Sequence, residues 1–466
     1  MIPRRVLVLG SGGREHALAW RLSVDSPAPL VIVAPGNPGI AARFECVPLD
    51  PGDAAAVIRL CRERGIELVV VGPEAPLATG IVDAVSAAGY TVFGPSRAAA
   101  QLESSKWFAK TVLAEAGAPT ARAVRCTDVE GARTALADFP LPWVLKADGL
   151  AAGKGVLVTS DRAAAEEFID ACLMGQAFGA SGQVMVIEEP LEGSEATVMA
   201  VCDGERFLLL PAAHDFKRAF EDDRGPNTGG MGAWAPHPSL DAGLENEIGE
   251  RIIAPVLGRM AARGTPFRGV LYAGLMLTSE GPRVIEFNVR FGDPEAQVVL
   301  PLVEGSLAGL LDSAARGALD AQSIRRAEGA AVAVALTDAG YPGTTSGTAV
   351  ITGLEACEAR EGVQVFHAAT VRADSAWRVS GGRAAYVTAR GENLGDARSR
   401  ARAAVACLGG NGWRYRSDVA GATVDAPGIH DHPGGSIDRP GTPGTSDESS
   451  KRTASRDARM PVANGG

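Results

Sequence analysis

Apolar residues near the amino end come in short unbroken runs, each closed by a glycine. RVLVLG (5–10), LVIVAPG (30–36), ELVVVG (67–72) and TVFG (91–94) carry this signature. Between them, SGGREHALAWRL, the 54–64 segment and IVDAVSAAGY have helical spacing. GPEAPL reads as a loop after its strand. The alternation predicts an α/β unit, a parallel sheet covered by helices, ending near residue 100.

QLESSKWFAKTVLAEAGAP follows as one helix stopped by Gly117 and Pro119. From 121 to 192 the strands VLKADG, KGVLVTS and QVMVIEEP mark a compact unit hung between longer ones. The 193–315 stretch returns to longer elements and carries most of the polar oddities. A further small unit holds AAVAVALTDAGYPG, a strand pair around GTAVITGL, a helix at 396–407 and WRYRSDVAG. After about residue 424 the composition cannot form a core, and a disordered tail with solvated histidines is expected.

At 466 residues the chain exceeds one ordinary core, so two to four domains are expected. A net charge of -10 argues against a general nucleic-acid surface, though a few basic residues suffice for a small phosphate. The first apolar run is too short for a secretory signal, and none approaches the roughly 20 residues that span a bilayer. Seven scattered cysteines without a CxxC pair point to reduced thiols. The reading is a soluble cytoplasmic protein without nucleic-acid or membrane partners.

Gly10-Ser-Gly-Gly-Arg-Glu15-His16 leaves a strand and opens a helix, where backbone N–H groups can hold a phosphate or carboxylate. A dinucleotide fingerprint would need a sixth-position glycine where Glu15 stands, and an acidic residue after VAPGNPG that is missing. A smaller phosphorylated metabolite suits the loop better, with Arg14 near its phosphate. Glu74, at the carboxyl end of its strand, is placed to receive an amine or hydroxyls. Glycines serving only a tight turn are the bland alternative.

WVLKADGLAAGKG (143–155) places Lys146 at the end of an apolar strand and Lys154 in a glycine-rich flap, with Gly153 and Gly155 beside it. A lysine head at a buried strand end needs an anion. The spacing is not that of a Walker A loop. A further lysine, Lys106, lies on the 101–116 helix. Glu188, with the backbone of 189–191, suits an adenine edge, and Glu195 suits ribose hydroxyls. In RVIEFNVRFGDPEAQ, Glu286 and Asn288 share one face of a strand and are hard oxygen donors fit for magnesium on ATP phosphates. Arg290 shares that face and suits a substrate carboxylate, with Asp293 and Glu295 orienting it or the flap. GPNTGGMGAW (225–234) reads as a loop able to wrap a sugar phosphate, and Asp215, Lys217 and Arg218 precede it.

Taken in order, GSGGREHA, APGNPG, VGPEAPL, FGPS, LESSKWFAK, KADGLAAGKGV, GPNTGGMGA, LYAGLM and IEFNVRFGDPE resemble the phosphoribosylamine–glycine ligases of the ATP-grasp superfamily. The resemblance spans about 4–420. It implies an N-terminal substrate domain (1–103) and an ATP-grasp core (104–120 and 193–328) with a mobile subdomain (121–192). A small C-terminal α+β domain (329–423) and the tail (424–466) complete it. It implies a monomer using glycine, 5-phosphoribosylamine and ATP, with magnesium or manganese, through a glycyl phosphate.

Residue by residue, the resemblance implies ATP-phosphate roles for Lys106, Lys146, Gly153, Lys154 and Gly155. Glu188 and Leu191 fall in the adenine hinge, Glu195 on the ribose, and Glu286 and Asn288 on the metal. Arg290 and Asp215 fall near glycine and the acyl phosphate. Gly12, Gly13, Glu15, Asn37, Glu74 and Asn227, Thr228, Gly229 and Gly230 fall where phosphoribosylamine is held. In the chemistry so implied, Asp215 and Glu15 are both candidates to accept the amine's proton, and the sequence does not choose between them. Two positions depart from the family pattern: Phe216 replaces a histidine, and Ser346 replaces a lysine. Three rivals stay open: a dehydrogenase using the first glycine loop, an ATP-grasp carboxylase or formate-using transformylase, and a nucleotide-binding protein without turnover.

Overall fold

The computed structural model describes residues 2–150, 155–174 and 183–421. Gly153 and Lys154 of the flap lie outside the described residues, as does the 424–466 tail. The first five strands form one parallel sheet in the order Glu45–Cys46, Leu30–Pro35, Arg5–Gly10, Leu68–Val71, Thr91–Phe93. The central strand is buried on both faces, which is why its apolar run is continuous. Leu7 and Leu9 pack with Val57 and Leu60 of the Ala54–Arg64 helix, while Val6 and Val8 pack with Leu18 and Leu22 of the Gly13–Ser23 helix.

Three local expectations change. GPEAPL is not a loop: Glu74 opens a short helix, Glu74–Thr79, ended by Gly80 in a left-handed conformation. The expected single helix after residue 100 is two, Gln101–Ser104 and Lys106–Ala116. Ser105 adopts an extended backbone between them and accepts from the Phe108 N–H, capping the second. The 225–234 loop is mostly strand, with Arg224–Asn227 in a hairpin with Arg218–Phe220 and Gly232–Ala235 in another sheet. Asp222 and Asp223 both take positive φ at the hairpin turn.

The four strands Ala123–Cys126, Met185–Glu188, Trp143–Ala147 and Val156–Thr159 form a small antiparallel sheet. Its own core joins Leu145 and Ile187 to Phe168 and Ile169 of the Arg162–Leu173 helix. A second four-stranded sheet holds Ser194–Asp203, Arg268–Thr278 and Gly281–Asn288 at its centre and edge. A bulge there lets Glu286 pair with Gly274 and Val284 with Leu275, leaving Ile285 unpaired between them. The six-stranded sheet of the C-terminal segment recruits His214–Asp215 and Gly232–Ala235 beside Ala330–Asp338, Arg383–Gly391 and Val363–His367. Strand pairing therefore binds the Asp215 segment to the last third of the chain. Among the described residues, no helix is long and apolar enough to cross a membrane.

The N-terminal and C-terminal parts meet at buried imidazoles. His16 accepts at Nδ1 from the His367 backbone N–H at 2.9 Å, and the rings stack 5.9 Å apart. Burial, with His367 and Arg43 nearby, lowers the His16 pKa to about 3. Burial likewise lowers His367 and His237 to about 4. These imidazoles stay neutral in the fold while the unfolded chain takes up protons below about 6.5, so their contribution falls as pH drops from 6.5 toward 4. Glu295, pushed up to about 7 by burial and Asp215, is linked in the opposite sense. A His16→Gln variant isolates the first effect. Its loss of unfolding free energy between pH 7.5 and pH 5 should be smaller than the parent's by about 2 kcal/mol in urea titrations. An equal loss in both proteins contradicts the assignment.

Candidate functional site

Helix capping and strand ends gather the lysines. The Asp148 carboxylate accepts from Ser105 Oγ and from the Trp107 N–H, pinning the loop after the Trp143–Ala147 strand to the start of the Lys106–Ala116 helix. Lys106 is the first residue of that helix, an unfavourable place for a cation. Its ammonium donates to the Gly149 carbonyl at 2.9 Å, and burial together with Lys146 lowers its pKa against the pull of Glu286 and Asp148. Lys146 is buried and donates to Glu188 Oε2 and to the Ile285 carbonyl, both at 3.1 Å. The bulge at Ile285 aims that carbonyl.

Glu188 is buried, and its carboxylate holds two lysines, because Lys110 Nζ also lies 3.0 Å from Oε2. The expected adenine edge, Glu188 with the backbone to Leu191, thus begins at a carboxylate that also holds two lysines. Glu195, partly exposed, lies 2.8 Å from Lys217 Nζ.

Glu286 and Asn288 do share one face of the Gly281–Asn288 strand, half-buried on either side of buried Phe287. Among the described residues no group of three His, Cys, Asp or Glu side chains is placed to hold a metal alone. Two oxygen donors that leave most positions to phosphate and water fit magnesium, which dehydrates reluctantly.

Arg290 continues the same face. Its Nη2 donates to Asn288 Oδ1 at 3.1 Å and lies 3.2 Å from Glu103 Oε1, while Nε lies 3.3 Å from Glu74 Oε2. Burial alone would lower its pKa, but Glu103 and Glu74 together raise it. The two acids diverge: burial keeps the Glu103 pKa raised, whereas Arg290 and Arg14 outweigh burial and lower that of Glu74. Glu295 adds to the same field on Arg290 from further away. Asp293 instead accepts from Gln297 and pairs with Arg383, and Glu295 accepts from Tyr272 Oη at 2.8 Å.

Asp215 and Lys217 alternate with Phe216 on a short extended run. Lys217 Nζ sits 2.5 Å from Asp215 Oδ1 and 2.8 Å from Glu195 Oε2, so one ammonium ties the two predicted acids. Those acids outweigh burial and hold its pKa well above the ordinary lysine value.

The first glycine loop is built around Glu15. Its Oε2 accepts from the Gly12 N–H and its Oε1 from Arg14 Nε, each at 2.6 Å. A Cβ on Gly10 or Gly72 would stand 2.6 Å and 2.1 Å from atoms of that carboxyl-bearing side chain. The glycines thus leave room for an acid, not for a dinucleotide pyrophosphate. Arg14 is buried beside this loop and donates to the Phe291 carbonyl as well as to Glu15. Asn37 is also committed: Oδ1 caps Ile40 N–H, and Nδ2 donates to the carbonyls of Ser11 and His367. Gly13 lies against Tyr386, where a Cβ would come within 2.5 Å of the ring.

Thr228 Oγ1 donates to the Lys217 carbonyl and accepts from the Gly230 N–H, folding the Asn227–Gly230 turn back on the Asp215 segment. Arg218 Nη1 donates to Asn227 Oδ1 at 3.4 Å. The C-terminal sheet clasps Gly229 from outside: Tyr341 Oη accepts from its N–H at 2.9 Å, and Arg383 donates to its carbonyl. Sequence reasoning missed Glu103, Lys110, Tyr341 and Arg383. Only Lys110 left a signal, standing one helical turn after Lys106.

The two departures each have a local structural partner. Phe216 points away from Asp215 and Lys217 into the C-terminal core with Met231 and Trp234, and the Arg416 guanidinium sits 5.0 Å from its ring. Ser346 donates to buried Asp338 at 2.9 Å and shapes a loop. Phe216→His should leave turnover within about threefold and lower stability by about 1–3 kcal/mol by burying a polar ring. Higher turnover in that variant would return position 216 to the chemistry.

The family models match these pieces in order. The phosphoribosylglycinamide synthetase N domain matches residues 4–103, the ATP-grasp (A) domain 104–296 and the C domain 331–422. A phosphoribosylamine–glycine ligase of Streptomyces coelicolor is 49% identical over 91% of this chain and 100% of its own. The crystal structure of the phosphoribosylamine–glycine ligase of Thermotoga maritima superposes with a TM-score of 0.77 at 32% identity, covering 89% of this chain and 99% of that one. A biotin carboxylase from Campylobacter jejuni shares the fold, with a TM-score of 0.68 at 16% identity over 91% of this chain and 96% of that one. With its three domain models matched in succession and full-length relatives this close, the chain belongs to the phosphoribosylglycinamide synthetase family.

Proposed function

We infer that the protein joins glycine to 5-phosphoribosylamine at the expense of ATP, giving glycinamide ribonucleotide, ADP and phosphate. The observation that carries this reading is the position of Arg290. One guanidinium joins the strand bearing Glu286 and Asn288 to Glu74, the first residue of the short helix after the Leu68–Val71 strand, which supports placing nucleotide and amine on either side of one carboxylate-binding cation.

A glycine carboxylate oxygen attacks the γ-phosphorus of ATP, the bond to ADP breaks, and glycyl phosphate forms. The amine nitrogen of phosphoribosylamine then attacks the carbonyl carbon, the carbon–oxygen bond to phosphate breaks, and the nitrogen loses a proton. No side chain needs to form a covalent bond, so positioning and charge carry the catalysis. Lys106 and Lys146 face the phosphates, with the backbone after Glu188 on the adenine edge and Glu195 on the ribose. Glu286 and Asn288 are the residues that would hold magnesium, which supplies charge neutralisation on the transferring phosphoryl group. Arg290 orients the glycine carboxylate. Asp215 and Glu15 are the two candidate proton acceptors, and each carboxylate already holds a cation, Asp215 that of Lys217 and Glu15 that of Arg14. The Asn227–Gly230 turn and Gly12–Gly13 border the phosphoribosylamine.

Glycine labelled with oxygen-18 in its carboxylate tests the intermediate. One labelled oxygen should appear in the inorganic phosphate released. Unlabelled phosphate alongside labelled amide product excludes glycyl phosphate.

A further inference from the structure

The lysines of the nucleotide half are not equivalent. Lys110 Nζ has its three hydrogens matched by three acceptors: Glu188 Oε2 at 3.0 Å, Thr120 Oγ1 at 2.9 Å and the Ala121 carbonyl at 3.0 Å. Lys146 donates to the same Glu188 oxygen and to the Ile285 carbonyl, which takes two of its three hydrogens among the described residues. Both ammoniums and the carboxylate are buried. Two cations on one anion leave the group with a net positive charge, and burial makes that charge costly until an anion arrives. The surplus falls on Lys146, because Lys110 has no donor left.

Resting on the ATP site assigned above, we propose that Lys110 is a positioning residue that neutralises Glu188, keeping the charge of Lys146 available to the nucleotide phosphates. Without Lys110, Lys146 is the sole counter-ion of a buried carboxylate, and its field at the phosphates is largely cancelled. Lys110 also grips Thr120 and Ala121, whose segment is anchored by Thr120 Oγ1 to the Val284 carbonyl. It therefore fixes Glu188 relative to the strand that carries Glu286.

The test is calorimetric titration of the full-length protein with ADP and, separately, with adenosine. In Lys110→Met the ADP affinity should fall roughly 10- to 100-fold, while adenosine affinity stays within about threefold. Equal losses for both ligands, or none for ADP, overturn the proposal, since a purely structural role does not distinguish phosphate from base. Should Lys110→Met fail to fold, the comparison moves to Glu188→Gln with and without Lys110→Met. With no carboxylate to neutralise, the ratio of ADP to adenosine affinity should be the same in both. A ratio that still drops on removing Lys110 contradicts the mechanism. Failure of the unaltered protein to bind ADP would overturn the nucleotide site itself and this inference with it.

Discussion

Arg290→Met is expected to lower turnover by about a thousandfold or more while leaving ADP affinity nearly unchanged. The guanidinium is the cation reaching Asn288, Glu103 and Glu74 at once, so its loss removes both the carboxylate clamp and the link between substrate halves. It also leaves the nearly buried Glu103 without its cation, holding, among the described residues, only the Val289 N–H, and stability should drop by about 3 kcal/mol. Arg290→Lys separates the effects. A lysine keeps the charge and most of the stability, but lacks the planar fork that addresses several carboxylates, so turnover should still fall about a hundredfold. Steady-state rates at saturating ATP and phosphoribosylamine, with glycine varied, provide the measurement. Turnover within tenfold of the parent in Arg290→Met would place the glycine carboxylate elsewhere.

Glu286→Gln should be nearly as damaging, lowering turnover by about a hundred- to a thousandfold at ordinary magnesium concentrations. An amide is a weaker ligand than a carboxylate, so the magnesium concentration for half-maximal rate should rise and part of the loss should be recovered at high magnesium. Glu286 is also among the charges that sustain protonation of Lys106, so the exchange weakens the lysine half as well. A magnesium dependence identical to the parent's would remove Glu286 from the metal site.

Four strands of the N-terminal sheet were legible because each is an apolar run closed by a glycine, whereas the two-residue edge strand Glu45–Cys46, partly exposed and with no glycine after it, left no such signal. The Glu286, Asn288 and Arg290 face was legible for a similar reason, as period-two polarity has few purely structural uses. Less visible were features created by packing between distant segments. Ser105 breaks a helix that local spacing would have continued, because it caps the second piece and donates to Asp148, which is far along the chain. Glu188 reads as a strand-end acid facing a base, and only the tertiary fold brings Lys110 and Lys146 to the same oxygen. Asn37 and Arg14 look like ligand contacts in the sequence, yet one cross-links two parts of the chain and the other is folded back on Glu15. Tyr341 and Arg383 act on Gly229 across more than a hundred residues, a relation with no local signature. Phe216, which stood out as a departure within a charged segment, is a core residue because alternation turns it away from its neighbours.

The most direct test of the account is product formation by the full-length protein with ATP, magnesium, glycine and phosphoribosylamine generated in situ from ribose 5-phosphate and ammonia. ADP release should require both glycine and the amine, with glycinamide ribonucleotide appearing by mass in equal amount to ADP. ADP release that is indifferent to glycine, or ADP binding with no product when all substrates are present, would contradict the assignment of this site to glycine ligation.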